Sequence, residues 1–250
     1  MKLWIFGDSF STPQAHMKDM RRSGGAPEFA PLDKTWTSIV SETLIDSAEH
    51  DNWSVQGCSN EYIWTCLTQA YNDIKKNDYV IVQLTSSFRK WFWLDRPHLA
   101  NHFNTKFIEG EDASKKEIKA IEMYQRYLNP EFLNDSNYRM TVCAVQHIAS
   151  RLDGKAKVLI LPGFHPINGV TGNLADASAG EFDSIESRTA YYKKTSDQRY
   201  NHFSSDNHKI LADKIIRFFT KFEQVDLTKD FKTNIFNKDT VAKIDYQNIL

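Results

Sequence analysis

Gly7-Asp8-Ser9 closes the compact apolar run Leu3–Phe6, and Asn201-His202 precedes an amphipathic stretch that starts near His208. A serine hydroxyl is a weak nucleophile until a neighbouring base takes its proton, and an imidazole is well suited to do so near neutral pH. A strand that stops at Gly-Asp-Ser delivers the serine to the carboxyl edge of a sheet, with its hydroxyl exposed and its backbone N–H turned toward any oxyanion formed there. A histidine on the loop before the last helix can fold back over that edge and reach it. A serine and a histidine so placed have the geometry that a nucleophile and its general base require. The competing reading of Ser9 alone is a turn or cap residue.

Other candidates weigh less. His208 opens the last amphipathic stretch and is expected to cap or pack. His165, in Gly163-Phe164-His165-Pro166, follows a strand at the same sheet edge and is a candidate for lining a pocket. His98 and His102 stand at i, i+4 after Pro97 and would face one another on a helix. They lack a third ligand, so no metal is expected. Trp91, Phe92 and Trp93 beside Arg89 form either an apolar substrate wall or a buried aromatic cluster. Cys58, Cys66 and Cys143 are odd in number and lie in apolar stretches, as reduced, buried small hydrophobes do.

The elements that must position these residues alternate short β-rich runs with longer helical periods, the α/β pattern of a parallel sheet flanked by helices. Strands are predicted over Leu3–Phe6, Trp53–Gln56, Tyr79–Leu84 and Lys157–Leu161. Helical spacing joins Trp36, Ile39, Val40 and Leu44; Ile63, Leu67, Ala70 and Ile74, with Asn60 as the cap; Val142, Val145, Ile148 and Leu152; and Ile210, Leu211, Ile215 and Phe219. The rhythm is interrupted at 95–137, where a helix is expected from Ser114 to Tyr127, and at 164–200. Both insertions leave the carboxyl ends of strands, where site-shaping loops belong. The reading is one domain over residues 1–220 and a C-terminal extension over 221–250.

Composition narrows the function. The chain has 31 basic and 32 acidic residues and a net charge of -1, so it lacks the basic excess of a nucleic-acid binder. No apolar run approaches the roughly 20 residues of a membrane helix, and the opening Met1–Phe10 holds too short an apolar stretch for a signal-peptide core. A cytoplasmic protein is expected, with neither nucleic acid nor membrane as partner.

In order and spacing, Gly7-Asp8-Ser9, Gly57-Cys58-Ser59-Asn60 and Asn201 to Ala212 resemble the first, second and last sequence blocks of the SGNH (GDSL-type) hydrolase superfamily. The resemblance implies a three-layer, flavodoxin-like sandwich and a serine esterase acting through an acyl-enzyme on a small-molecule or glycan ester, without metal or organic cofactor. Ser9 would be the nucleophile and His202 the base, with the Ser9 and Gly57 N–H groups in the oxyanion hole. The chain departs from the pattern twice. Thr85-Ser86-Ser87-Phe88-Arg89 stands where the third block carries Gly-x-Asn-Asp, so a third oxyanion donor must come from Asn60, Thr85 or Ser86, and Arg89 is a candidate for an anionic part of the substrate. Arg199 stands where the triad acid belongs, leaving Asp197, Asp206 or a carboxylate-free dyad. Acyl transfer to a sugar or other alcohol, and a binding protein that has lost catalysis, are the alternatives.

Overall fold

The computed structural model describes residues 1–12, 35–45, 50–55, 58–87, 89–93, 97–101, 130–177, 203 and 205–232, with Lys119 and Met123. Along the chain run β1 (Leu3–Phe6), α1 (Trp36–Leu44), β2 (His50–Asn52), α2 (Asn60–Ala70), β3 (Asp78–Gln83), β4 (Arg89–Trp93), β5 (Pro97–Asn101), α3 (Pro130–Leu152), β6 (Ala156–Leu161) and α4 (Ser205–Lys221). Four strands form a parallel sheet in the order β2-β1-β3-β6, and β4 and β5 make a separate antiparallel hairpin. By internal contacts the chain divides into two compact units, Met1–Ser11 with Asp51–Phe164, and Thr12–His50 with His165–Leu250.

In the first unit β3 is the central strand. Its residues Tyr79-Val80-Ile81-Val82 are β-branched or aromatic without a polar interruption, which suits a strand covered on both faces, and all of β3 is buried. It pairs with β1 from Leu3–Tyr79 to Phe6–Val82 and with β6 from Asp78–Ala156 to Gln83–Leu161. The helix α2 carries Ile63, Cys66, Leu67 and Ala70 on its buried face. It packs on both α3 and β1, while α3 also packs on β6, so the two helices share one face of the sheet.

The amino edge of the sheet is closed by Asp78. Its carboxylate accepts from the Lys2 N–H (2.8 Å), the Trp4 indole N–H (3.0 Å) and the Lys75 N–H (2.9 Å). One buried side chain thus ties the start of β1 to the connection entering β3. Burial by itself would raise the Asp78 pKa, but the hydrogen bonds from Lys75, Trp4 and Lys2 outweigh it and hold the carboxyl below the usual aspartate range.

In the second unit α1 packs on α4, with Trp36, Val40, Leu211, Ile215 and Phe219 buried. Thr35 caps α1 by accepting from the Ser38 N–H (3.4 Å). The chain beyond α4 is built into this unit: Thr171 bridges Asp226, and the flanking Val225 and Leu227 are buried. Gly172, at φ +79, lies where an added Cβ would meet Thr228 Cγ2 at 2.8 Å, so glycine is required on both counts.

Several local expectations need correction. The second strand is His50–Asn52, three residues earlier than predicted, although the Trp53 N–H to Ile5 O (2.8 Å) and Val55 N–H to Gly7 O (3.0 Å) bonds carry its pairing forward. Ser59, and not Asn60, caps α2, accepting from the Tyr62 N–H (3.3 Å). The β4–β5 hairpin runs from Arg89 into the insertion read as starting at residue 95, so His98 lies on a strand and the helical His98–His102 pair is lost. The helix α3 starts at Pro130, within the predicted insertion. Cys58 and Cys66 are buried but Cys143 is exposed. Most of the helix expected over Ser114–Tyr127, and the loop over 178–200, lie outside the described residues.

The Asp78 clamp predicts the acid behaviour of the fold. Because its pKa is lowered in the folded state, it stabilises above the unfolded value near ~3.9, and that stability is lost as pH falls toward the lower folded value. Asp78→Asn, which keeps the shape but not the charge, is expected to cost about 2–3 kcal/mol at pH 7. Urea titrations should show the variant less sensitive than wild type to a drop from pH 5 to pH 3; parallel curves would contradict the clamp.

Candidate functional site

The site is built where the chain order of the sheet reverses. From β1 the chain goes to β2 on one side and then to β3 on the other, and the carboxyl ends of the two strands at such a switch point frame a crevice. Ser9 follows β1 and Thr85 follows β3, so both are delivered there.

The Ser11 N–H donates to Asp8 O (3.0 Å), closing a four-residue turn with Ser9 and Phe10 at its centre. The Asp8 N–H donates to Gln83 Oε1 (2.9 Å), the Phe10 N–H to Asp8 Oδ1 (2.9 Å), and the Ser11 hydroxyl to Gln83 Oε1 (2.9 Å). The N–H groups of residues 8, 10 and 11 are therefore all engaged. Ser9 differs: among the described residues neither its N–H nor its hydroxyl has a hydrogen-bond partner, and it is half-buried. Gly7 allows the tight approach, since a Cβ there would lie 2.6 Å from Gln83 Oε1 and 2.8 Å from Ser11 Oγ.

Asp8 is fully buried. Its Oδ2 accepts from the Thr85 hydroxyl (2.6 Å) and from an Arg89 terminal nitrogen (2.5 Å). The Arg89 guanidinium also lies over the Phe164 ring (5.7 Å), which meets Phe10 edge to face at 5.9 Å. A buried carboxylate is tolerable only with such compensation. Beside it, Cys58 donates its thiol to Gly7 O (3.2 Å). Burial, and then the negative charge of Asp8, push this thiol well above its ordinary pKa, so it stays protonated and is no rival nucleophile.

The loop after β3 is held by Asn60. Its Oδ1 accepts from the Thr85 N–H (2.8 Å), while its Nδ2 donates to Thr85 O (3.0 Å) and Ser86 O (3.4 Å). The side chain acts here as a piece of backbone, pairing with residue 85 as a neighbouring strand would. Gly163 closes the other side of the loop, where a Cβ would fall 2.0 Å from Leu84 O.

Of the residues singled out from the sequence, Ser9, Asn60, Thr85, Ser86 and Arg89 are gathered at this edge. Asn60 and Thr85 do not point spare donors outward: the amide is committed to the 85–86 loop and the hydroxyl to Asp8. Arg89 is the ion-pair partner of Asp8. His165 is half-buried and belongs to the second unit. His208 is buried there, where its Nδ1 accepts from the Trp36 N–H (3.2 Å) at the start of α1 and its ring meets Phe203 edge to face, a packing and capping role. Asp206 is exposed in the first turn of α4, where Lys232 bonds its carboxylate (2.5 Å) and lowers its pKa. Gly57, Asp197 and His202 lie outside the described residues. Among the described residues no cluster of His, Cys, Asp or Glu suits a metal ion, and no helix is long and apolar enough to cross a membrane.

Asp8 and Gln83 are what the sequence reading passed over. Asp8 sits beside the serine it was read with, and Gln83 is the one amide within the otherwise apolar Tyr79–Leu84 run, a position that calls for a buried partner.

Two glycines give a direct test of the close packing. Gly163→Ala forces a methyl into Leu84 O and should cost more than about 3 kcal/mol or abolish folding. Gly154→Ala meets open space at φ +75 and should cost only about 1–2 kcal/mol for the left-handed backbone. Denaturant melts that rank the two the other way would refute this account of the edge. Comparison of the chain with protein-family models, with curated proteins and with solved structures finds no match.

Proposed function

We propose that the protein is a serine hydrolase of the SGNH type that cleaves a carboxylic ester bearing a short acyl group, such as an O-acetyl. The observation that carries the reading is the state of Ser9. It stands at the switch point of a parallel sheet, on a turn whose other N–H groups are all engaged, and among the described residues its own N–H and hydroxyl have no partner. A turn residue whose role was structural would be expected to spend its hydroxyl on the turn. The strand order β2-β1-β3-β6 supports the flavodoxin-like sandwich implied by the sequence blocks.

In this reading Ser9 Oγ attacks the acyl carbon as His202 takes its proton. The carbonyl electron pair moves onto oxygen, where the Ser9 N–H meets it. Collapse expels the alcohol, which receives the proton from His202, and water repeats the sequence on the acyl-enzyme. Asp197 would hold the imidazole in the useful tautomer. Asp206, engaged by Lys232, is set aside for that role.

A fluorophosphonate probe and a panel of acetylated sugars and aryl esters test the proposal. Wild type should be labelled at Ser9 and turn over at least one ester. Ser9→Ala should lose both while its melting temperature stays within a few degrees, because a half-buried turn hydroxyl without partners contributes little to stability. His202→Gln should lose turnover to a similar extent, since residues acting as one unit are not additive. Asp197→Asn should lower kcat more than about tenfold with little change in KM, as for a group acting on the transition state, while Asp206→Asn leaves kcat unchanged. Retained turnover in Ser9→Ala would falsify the assignment of the nucleophile.

A further inference from the structure

We propose that the Arg89 guanidinium donates to the oxyanion of the Ser9 reaction, in place of the side-chain amide that the loop after β3 lacks. The inference rests on the esterase reading of Ser9.

Two of the three side chains that the sequence offered for this task, Thr85 and Asn60, spend their donors inside the loop. The Thr85 hydroxyl hydrogen goes to Asp8, and the Asn60 amide hydrogens go to the carbonyls of Thr85 and Ser86. Arg89 is in the opposite condition. A guanidinium carries five N–H bonds in one rigid plane, and Asp8 takes a single terminal nitrogen. Among the described residues the other two nitrogens have no hydrogen-bond partner, and neither is sealed from solvent, the side chain being 14% exposed. The plane is fixed on both sides, by the carboxylate of the residue preceding Ser9 and by the face of Phe164.

Charge balance decides what these N–H groups are for. Asp8 neutralises the guanidinium at 2.5 Å, so the pair has little long-range pull on a free carboxylate or phosphate. Its remaining N–H bonds are nonetheless held in place, and preorganised donors of this kind act where charge develops during reaction. The acyl carbonyl of a neutral ester matches that description better than an anionic substrate group. In the step concerned, the Ser9 Oγ–carbon bond forms, the C=O π pair becomes the oxyanion that Arg89 and the Ser9 N–H receive, and the serine proton passes to the base. When the tetrahedral intermediate collapses, the bond to the leaving alcohol breaks and the charge leaves Arg89.

Arg89→Met would strand the buried Asp8 charge and is expected to disturb the turn, so Arg89→Lys is the decisive variant. An ammonium keeps the ion pair with Asp8 but presents its donors from a single nitrogen, with none on a fixed second edge. With a neutral aryl acetate, Arg89→Lys is expected to lower kcat roughly 10²–10³-fold and to leave KM within about twofold. Its melting temperature should stay near that of wild type. Affinity for a trifluoromethyl ketone, which adds Ser9 to form an oxyanion, should fall by the same factor as kcat/KM, a result that a purely structural ion pair would not give. Wild-type kcat and ketone affinity in Arg89→Lys would overturn the inference, as would a loss confined to esters that carry a carboxylate. If wild type is labelled at Ser9 and active while Arg89→Lys is equally active, the inference alone fails. If wild type is neither labelled nor active, the esterase reading fails and takes the inference with it.

Discussion

The carboxylate of Asp8 is the interaction on which the carboxyl edge of the sheet depends. A fully buried, charged side chain is costly unless its oxygens are met by donors and its charge by a cation. Donors to it come from the turn itself through Phe10, the end of β3 through Thr85, and the start of the β4–β5 hairpin through Arg89. Satisfying one group therefore fixes the relative positions of the turn, the loop and the hairpin. Gln83 adds a second set of bonds to the same turn, accepting from the Asp8 N–H and the Ser11 hydroxyl and donating to Leu84 O (2.6 Å). Ser9 lies on a segment held at the residues on both sides of it, and this rigidity comes from its neighbours.

Such density of polar contacts requires backbones to approach more closely than side chains permit. Gly7 and Gly163 stand where a Cβ would overlap Gln83 Oε1 and Leu84 O. Their value lies in the missing atom, since neither has a positive φ. Asn60 solves the complementary problem: beyond β3 the chain leaves the ladder, and the N–H and C=O of Thr85 would go unpaired in a buried place. A side-chain amide supplies one acceptor and one donor at the required spacing.

Much of the framework was legible in the sequence because it follows from periodicity. The Leu3–Phe6 run, the helix Trp36–Leu44 and the buried β3 are set by apolar patterns that local physics reads directly. The exchange of caps between Ser59 and Asn60 was not legible, because both are good cap residues and the choice is made by Thr85, twenty-five positions away. The hairpin was obscured by its own composition: Trp91, Phe92 and Trp93 form a continuous apolar run without the alternation that marks a strand, although aromatic residues favour strands. Ser9 could be picked out by type and position, but that Asn60 and Thr85 spend their donors inside the loop is a fact of tertiary geometry. It leaves spare donors on Arg89 where the sequence suggested the Thr85 hydroxyl and the Asn60 amide.

The two ends of the sheet hold their buried carboxylates with different donors. Asp78 at the amino edge is satisfied by two backbone N–H groups and one indole N–H, neutral donors that are fully used by the carboxylate. Such a clamp fastens the edge and offers nothing further. Asp8 at the carboxyl edge takes backbone and hydroxyl donors too, but its charge is met by a guanidinium that spends one nitrogen on the pair. Among the described residues the remaining nitrogens are an excess that stability of the edge does not demand, because a lysine would also supply the cation that the carboxylate needs. In the proposed esterase reading, N–H groups left over on a guanidinium bound to the residue before Ser9 are what acyl chemistry uses. The distinction between a carboxylate that closes a structure and one that holds a donor in place is thus written in the partner each of them has.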